Sequence, residues 1–150
     1  MEKDIAQVLI SEEVLQKRIE ELAAELTEKY AGKNPVFVGV MKGVVLFFAD
    51  IVKRINTMCQ IDFMWISSYS GTNSTGNMVV KRDVSTDIKG RHVVILEDIF
   101  DTGNSLQFTC EHLMKKEPTY WGFTVTAGFL RLGLSSNVQI SREAGSLLSR

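Results

Sequence analysis

The stretch VVILEDIFDTGNSL, residues 93–106, carries the residue types most able to do chemistry. Glu97 and Asp98 close a β-branched run, and Asp101, Thr102, Gly103, Asn104 and Ser105 follow at once. Ionised carboxylates only accept hydrogen bonds, so two adjacent acids at a strand end suit hydroxyl groups or a divalent cation. The loop behind them suits the opposite partner. Gly103 permits a tight turn, a helix begins there, and its free N–H groups with the Thr102 and Ser105 hydroxyls make an anion pocket. A plainer role competes for Asp101 and Thr102, that of a helix cap. The G-x-x-x-x-G-K-[ST] phosphate loop is absent.

These residues need elements to hold them. A capped helix spans about Ser11 to Ala31, with Ser11 as cap, Glu12 and Glu13 in the first turn and Gly32 then Pro35 as stops. Its apolar stripe is Leu15, Ile19, Leu22, Leu26 and Tyr30. PVFVGVMKG is of strand length and ends in Lys42-Gly43, and VVLFFADIVKRI follows as a helix expected to be buried on most sides. QIDFMWISSY alternates as a strand, with Ile61, Phe63, Trp65 and Ser67 on one face. SGTNSTGN is a polar glycine-containing loop, MVVKRDV resumes strand character and STDIKG turns the chain. RHVVIL is a strand and GNSLQFTCEHLMKK a helix, with Leu106, Cys110, Leu113 and Met114 at helical spacing. Strand and helix alternate around one strand-loop-strand insertion, which predicts an α/β sandwich on a largely parallel sheet. Ligand sites in such sheets lie at the carboxyl ends of strands, where both MKG and EDIFDTGNS fall.

Composition narrows the function. With 150 residues, 45% apolar and 23% charged, the chain reads as one globular domain. A net charge of −1 argues against nucleic acid or an anionic membrane as partner. No run approaches the ~18 apolar residues of a membrane span, and the first residues lack the pattern of a signal peptide. Cys59 and Cys110 stand in apolar surroundings without metal or redox spacing, so both are expected as buried free thiols in a reducing cytoplasm. His92 and His112 have no partner at ligand spacing and are expected to be non-catalytic.

A ligand carrying vicinal hydroxyls and a terminal phosphate satisfies acids and loop together, and ribose 5-phosphate is such a ligand. Four apolar residues, two acids, two apolar residues and D-T-G-x-S resemble the phosphoribosyl-diphosphate motif of type I phosphoribosyltransferases. EDIFDTG is similar to the hypoxanthine-guanine branch. VGVMKGVVLFFADI, IDFMWISSYSGTNSTGN and VSTDIKGRHVVILEDI extend the resemblance in order and position over roughly residues 5–118. It implies the α/β fold of that family, a mostly parallel sheet flanked by helices with a flexible strand-loop-strand lid.

The resemblance also implies a reaction. The family, with magnesium, transfers phosphoribosyl from 5-phosphoribosyl 1-diphosphate to a purine base and releases pyrophosphate. Glu97 and Asp98 would hold the ribose hydroxyls and the Mg2+, and Thr102, Gly103, Asn104 and Ser105 the 5′-phosphate. Lys42 and Gly43 match the pyrophosphate-binding loop, which often has a cis peptide before the lysine. Ser68 and Tyr69 match the start of the lid, and Asp101 matches the general base. Hypoxanthine or guanine as acceptor, IMP or GMP as product, a homodimer or homotetramer and a cytoplasmic location follow from the same resemblance.

After Pro118 the family pattern stops. Segments similar to LLDKP, DYVGF and VGYGLDY, which supply the purine contacts, are missing, Glu143 is the one acid after residue 118, and no lysine occurs there. The expected organisation is therefore a core of residues 1–118 and a divergent segment 119–150 of the same domain. Phe123 to Ala127 could still supply the next strand, with an uncovered sheet edge beyond it. The alternatives to an enzyme are a non-catalytic regulator that binds the phosphoribosyl donor and an inactive truncated homologue.

Overall fold

The computed structural model describes residues 10–68, 78–99, 103–125 and 140–143. The chain starts with α1, Glu12–Lys29, whose cap is Ser11: its hydroxyl accepts the Val14 N–H at 3.3 Å. Glu12 and Glu13 occupy the positive end of the helix and Lys29 the negative end. Beyond Tyr30 the backbone reverses through Gly32, at φ +71°, into β1, Val36–Met41. Then come α2, Val45–Val52, and the antiparallel pair β2, Gln60–Ser68, and β3, Met78–Arg82. The chain continues with β4, His92–Glu97, α3, Asn104–Met114, β5, Tyr120–Val125, and β6, Ile140–Glu143.

The six strands lie in the order β3-β2-β1-β4-β5-β6. The central pairings β2-β1, β1-β4 and β4-β5 are parallel, and the two outer ones are antiparallel. Alternation along β1 and β4 explains why their sequences are apolar throughout. Val36, Val38 and Val40 with Val93 and Ile95 pack toward Leu106, Cys110 and Leu113 of α3. Phe37, Val94 and Leu96 pack on the other side, against α1 and α2. Strands covered on both faces read as continuous hydrophobic runs. The stripe of α1 is buried from Ile19 through Tyr30, whereas Leu15 at its start is exposed.

Four expectations need correction. The helix α2 buries Phe47, Phe48 and Ile51 but turns Val45 and Leu46 outward, with Leu46 80% exposed. A short helix on a sheet presents one stripe, and a uniformly apolar sequence does not reveal which. The strand expected at 123–127 begins earlier, at Tyr120, in register with β4 from His92↔Tyr120 to Glu97↔Val125. The outer edge of β5 is covered: β6 pairs with it antiparallel, from Tyr120↔Glu143 to Phe123↔Ile140. Cys59, expected to be buried, is only half-buried because it lies in the turn between α2 and β2, whereas Cys110 is buried on α3, and both are free thiols. No helix among the described residues is long and apolar enough to cross a membrane.

Candidate functional site

Strands β1 and β4 are parallel neighbours, with Gly39 opposite Leu96, so their carboxyl ends open at one edge of the sheet. The loop leaving β1 starts with Lys42-Gly43, and Glu97-Asp98 closes β4. The two motifs meet there. A Cβ on Gly43 would lie 2.8 Å from one carboxylate oxygen of Asp98 and 3.1 Å from the other. Glycine therefore lets the loop backbone rest against the acid, which no other residue would allow without displacement. The Met41–Lys42 peptide just before it is cis, as the resemblance implied.

Glu97 stands in an unusual environment. Its Oε2 is buried and has no hydrogen-bond partner among the described residues. Burial first, and then the neighbouring Asp98 charge, raise its carboxyl from the ordinary 4.5 to about 8. Near neutral pH the side chain holds a proton while one oxygen faces no donor. A hydroxyl or a cation would satisfy that oxygen and favour the ionised form.

Behind the acids, α3 starts at Gly103, the N-cap, with φ +79°. The contrast with α1 is instructive. There the Ser11 side chain occupies a first-turn N–H and two glutamates complement the dipole, whereas Gly103 has no side chain to offer and the first turn of α3 has no acid. With no acid in its first turn, this positive helix end suits an anion. Asn104 is exposed and Ser105 half-buried on that first turn. Asp101 and Thr102 lie outside the described residues, so their roles as base, phosphate ligand or cap stay expectations.

On the other side of the loop, Lys42 is exposed, and its Nζ lies 5.0 Å from the centre of the Trp65 ring. The expected lid is represented at its base, where Ser68 pairs with Met78 across β2 and β3. Tyr69 lies outside the described residues.

Sequence reasoning missed Asp62. It sits on the β2 face opposite Phe63 and Trp65, beside Met64, and is only 7% exposed. Its carboxylate accepts the Phe63, Ser85 and Thr86 N–H groups, each at 2.7 Å, and the Ser85 hydroxyl at 3.1 Å. Burial alone would raise its pKa, but the donors, led by the Thr86 and Phe63 N–H groups, hold it below the usual carboxylate range. Asp62 thereby fixes the segment between β3 and β4 to β2. An acid in phase with Met64 was the available signal. His112 does have a partner: Nε2 lies 2.9 Å from Asp83, which Lys116 also reaches at 2.9 Å. The cluster ties the end of α3 to the segment after β3.

Among the described residues no group of three or more His, Cys, Asp or Glu is placed to hold a metal. The pair Glu97 and Asp98, with a buried unpartnered oxygen, still fits magnesium. That ion is commonly bound by one or two carboxylates plus the phosphates of its substrate rather than by a protein cage.

Fold and site together define an α/β protein with acids, a cation and a helix N-terminus gathered at the carboxyl ends of central parallel strands. Residues 8–130 match the model of the phosphoribosyl transferase domain. The chain belongs to that family, in its hypoxanthine-guanine branch, and its fold is the type I phosphoribosyltransferase fold. It is 45% identical over 118 residues to the hypoxanthine-guanine-xanthine phosphoribosyltransferase of Tritrichomonas foetus, matching 79% of this chain and 64% of that protein. To the hypoxanthine-guanine phosphoribosyltransferase of Streptococcus pneumoniae it is 49% identical over 108 residues, 71% of this chain and 60% of the other. The crystal structure of a hypoxanthine phosphoribosyltransferase from Staphylococcus aureus superposes with a TM-score of 0.77 at 40% identity, covering 83% of this chain and 68% of that one. The chain thus spans under two thirds of the length of these two sequence relatives.

Proposed function

We propose that the chain is a purine-salvage enzyme transferring phosphoribosyl from 5-phosphoribosyl 1-diphosphate to hypoxanthine or guanine, giving IMP or GMP and pyrophosphate. The observation that carries this reading is the contact of the Gly43 backbone with Asp98, beside the unsatisfied Glu97 carboxyl. It brings a cationic loop and a pair of acids to one point, where a ribose bearing a pyrophosphate would need both.

In this reading Glu97 and Asp98 accept the ribose hydroxyls. The N-terminus of α3, with Thr102, Gly103, Asn104 and Ser105, receives the 5′-phosphate. Lys42 and the Gly43 backbone face the pyrophosphate. Glu97 and Asp98 would hold magnesium, which when bound would supply neutralisation of negative charge at the pyrophosphate. The bond from the anomeric carbon to pyrophosphate oxygen breaks with its electron pair leaving on oxygen, and a purine ring nitrogen bonds to that carbon. Asp101 takes the proton the purine nitrogen loses. Ser68 and Tyr69 start a lid whose closure excludes water from an oxocarbenium-like sugar. A homodimer or homotetramer in the cytoplasm belongs to the same proposal and rests on the resemblance.

Nucleotide formation tests it. Purified chain is supplied with magnesium, phosphoribosyl diphosphate and each of hypoxanthine, guanine and xanthine. Product from hypoxanthine or guanine supports the proposal. A folded sample that binds the donor yet forms no nucleotide favours the non-catalytic reading instead.

A further inference from the structure

The face of β2 that carries Phe63 packs against α2, where the Phe63 and Phe48 rings lie 4.6 Å apart. Trp65 comes two residues later on the same face, at the end of that packed layer, and is 41% exposed. A large aromatic ring left half in solvent adds little to the core. Its register explains its position: Trp65 is paired with Met41, the residue before Lys42. Lys42 Nζ sits 5.0 Å from the ring centre, within the range of a cation–π contact.

We propose that Trp65 is a positioning residue for Lys42, a platform that holds the ammonium group in place for pyrophosphate. The inference rests on the reading of Lys42 as a pyrophosphate ligand. A lysine has four rotatable side-chain bonds and loses up to ~2 kcal/mol of rotamer freedom when fixed. The indole face opposes that loss before the ligand arrives. A cation–π contact uses one side of the ammonium group and leaves N–H groups on the other side for phosphate oxygens. The neighbouring strands fix the spacing, since ring and cation both follow from the Met41↔Trp65 pair.

The test is the affinity of the full chain for inorganic pyrophosphate with magnesium, measured for a double-mutant cycle. Trp65→Leu should weaken binding about two- to five-fold, the loss of an exposed cation–π contact. Trp65→Met should match it, guarding against a local effect of leucine, and Trp65→Phe should restore most of the affinity. Lys42→Ala should weaken binding further, and adding Trp65→Leu to Lys42→Ala should change nothing more, because the ring then has no cation to hold. Normal pyrophosphate affinity in Trp65→Leu, with weakened binding in Lys42→Ala, overturns the inference alone. Additive losses in the double variant also overturn it. Normal affinity in Lys42→Ala overturns the assignment of Lys42 itself, and the role of Trp65 falls with it.

Discussion

Glu97→Gln should make the ligand-free protein more stable, increasingly so as pH rises. The folded carboxyl titrates at about 8 because of burial and the Asp98 charge, against 4.5 for an ordinary glutamate. The folded state therefore binds more protons than the unfolded state throughout that window, so stability falls as pH rises. The slope for one group is about 1.4 kcal/mol per pH unit. Over the window the full loss would be about 5 kcal/mol, and relaxation around a buried ion reduces it to roughly 2–5 kcal/mol. Glutamine has the same shape and no charge to bury, so the variant escapes this loss. Thermal unfolding of both proteins between pH 4 and pH 9 reads the effect. The midpoints should nearly coincide at pH 4 and differ by about 4–20 °C at pH 9, using 2–4 °C per kcal/mol for a chain of this size. A difference that does not change with pH, or one that shrinks as pH rises, would refute the buried-carboxyl reasoning.

Gly43→Ala should push the loop from Asp98, since its Cβ would meet a carboxylate oxygen at 2.8 Å; pyrophosphate affinity should fall about tenfold or more, ~1.4 kcal/mol, with little change in melting temperature because the site is exposed. Gly103→Ala must hold φ near +79°; a cost of about 1–2 kcal/mol should appear in chemical denaturation, and Gly103→Asn should lose less. Asp62→Asn replaces a carboxylate that accepts three N–H groups with an amide able to oppose some of them; denaturation should show a loss of about 1.5–3 kcal/mol or more near neutral pH. The Asp62 carboxyl is held below its ordinary 3.8, so its stabilisation is present above that value and lost as pH falls further. The gap between wild type and Asp62→Asn should therefore narrow in acid.

The central layer of the fold was legible because β1 and β4 are buried on both faces, and such strands carry their assignment in composition alone. The carboxyl-end site was legible for a related reason: acids and glycine at the end of an apolar strand have few structural roles that require them together. What escaped depended on pairing between distant segments. Ile140–Glu143 has no pattern of its own and becomes a strand by pairing with β5. Asp62 takes its role from Ser85 and Thr86, residues distant in sequence whose N–H groups its carboxylate accepts. Lys42 and Trp65 are far apart in sequence and meet through the parallel pairing of β1 and β2.

The most direct test of the paired acids as a sugar site is calorimetric titration of 5-phosphoribosyl 1-diphosphate with magnesium into wild type, Glu97→Gln and Asp98→Asn. Wild type should bind the donor, and each variant should bind it at least about tenfold more weakly, a loss of ~1.4 kcal/mol, while remaining folded. Equal donor affinity in all three proteins would contradict the account.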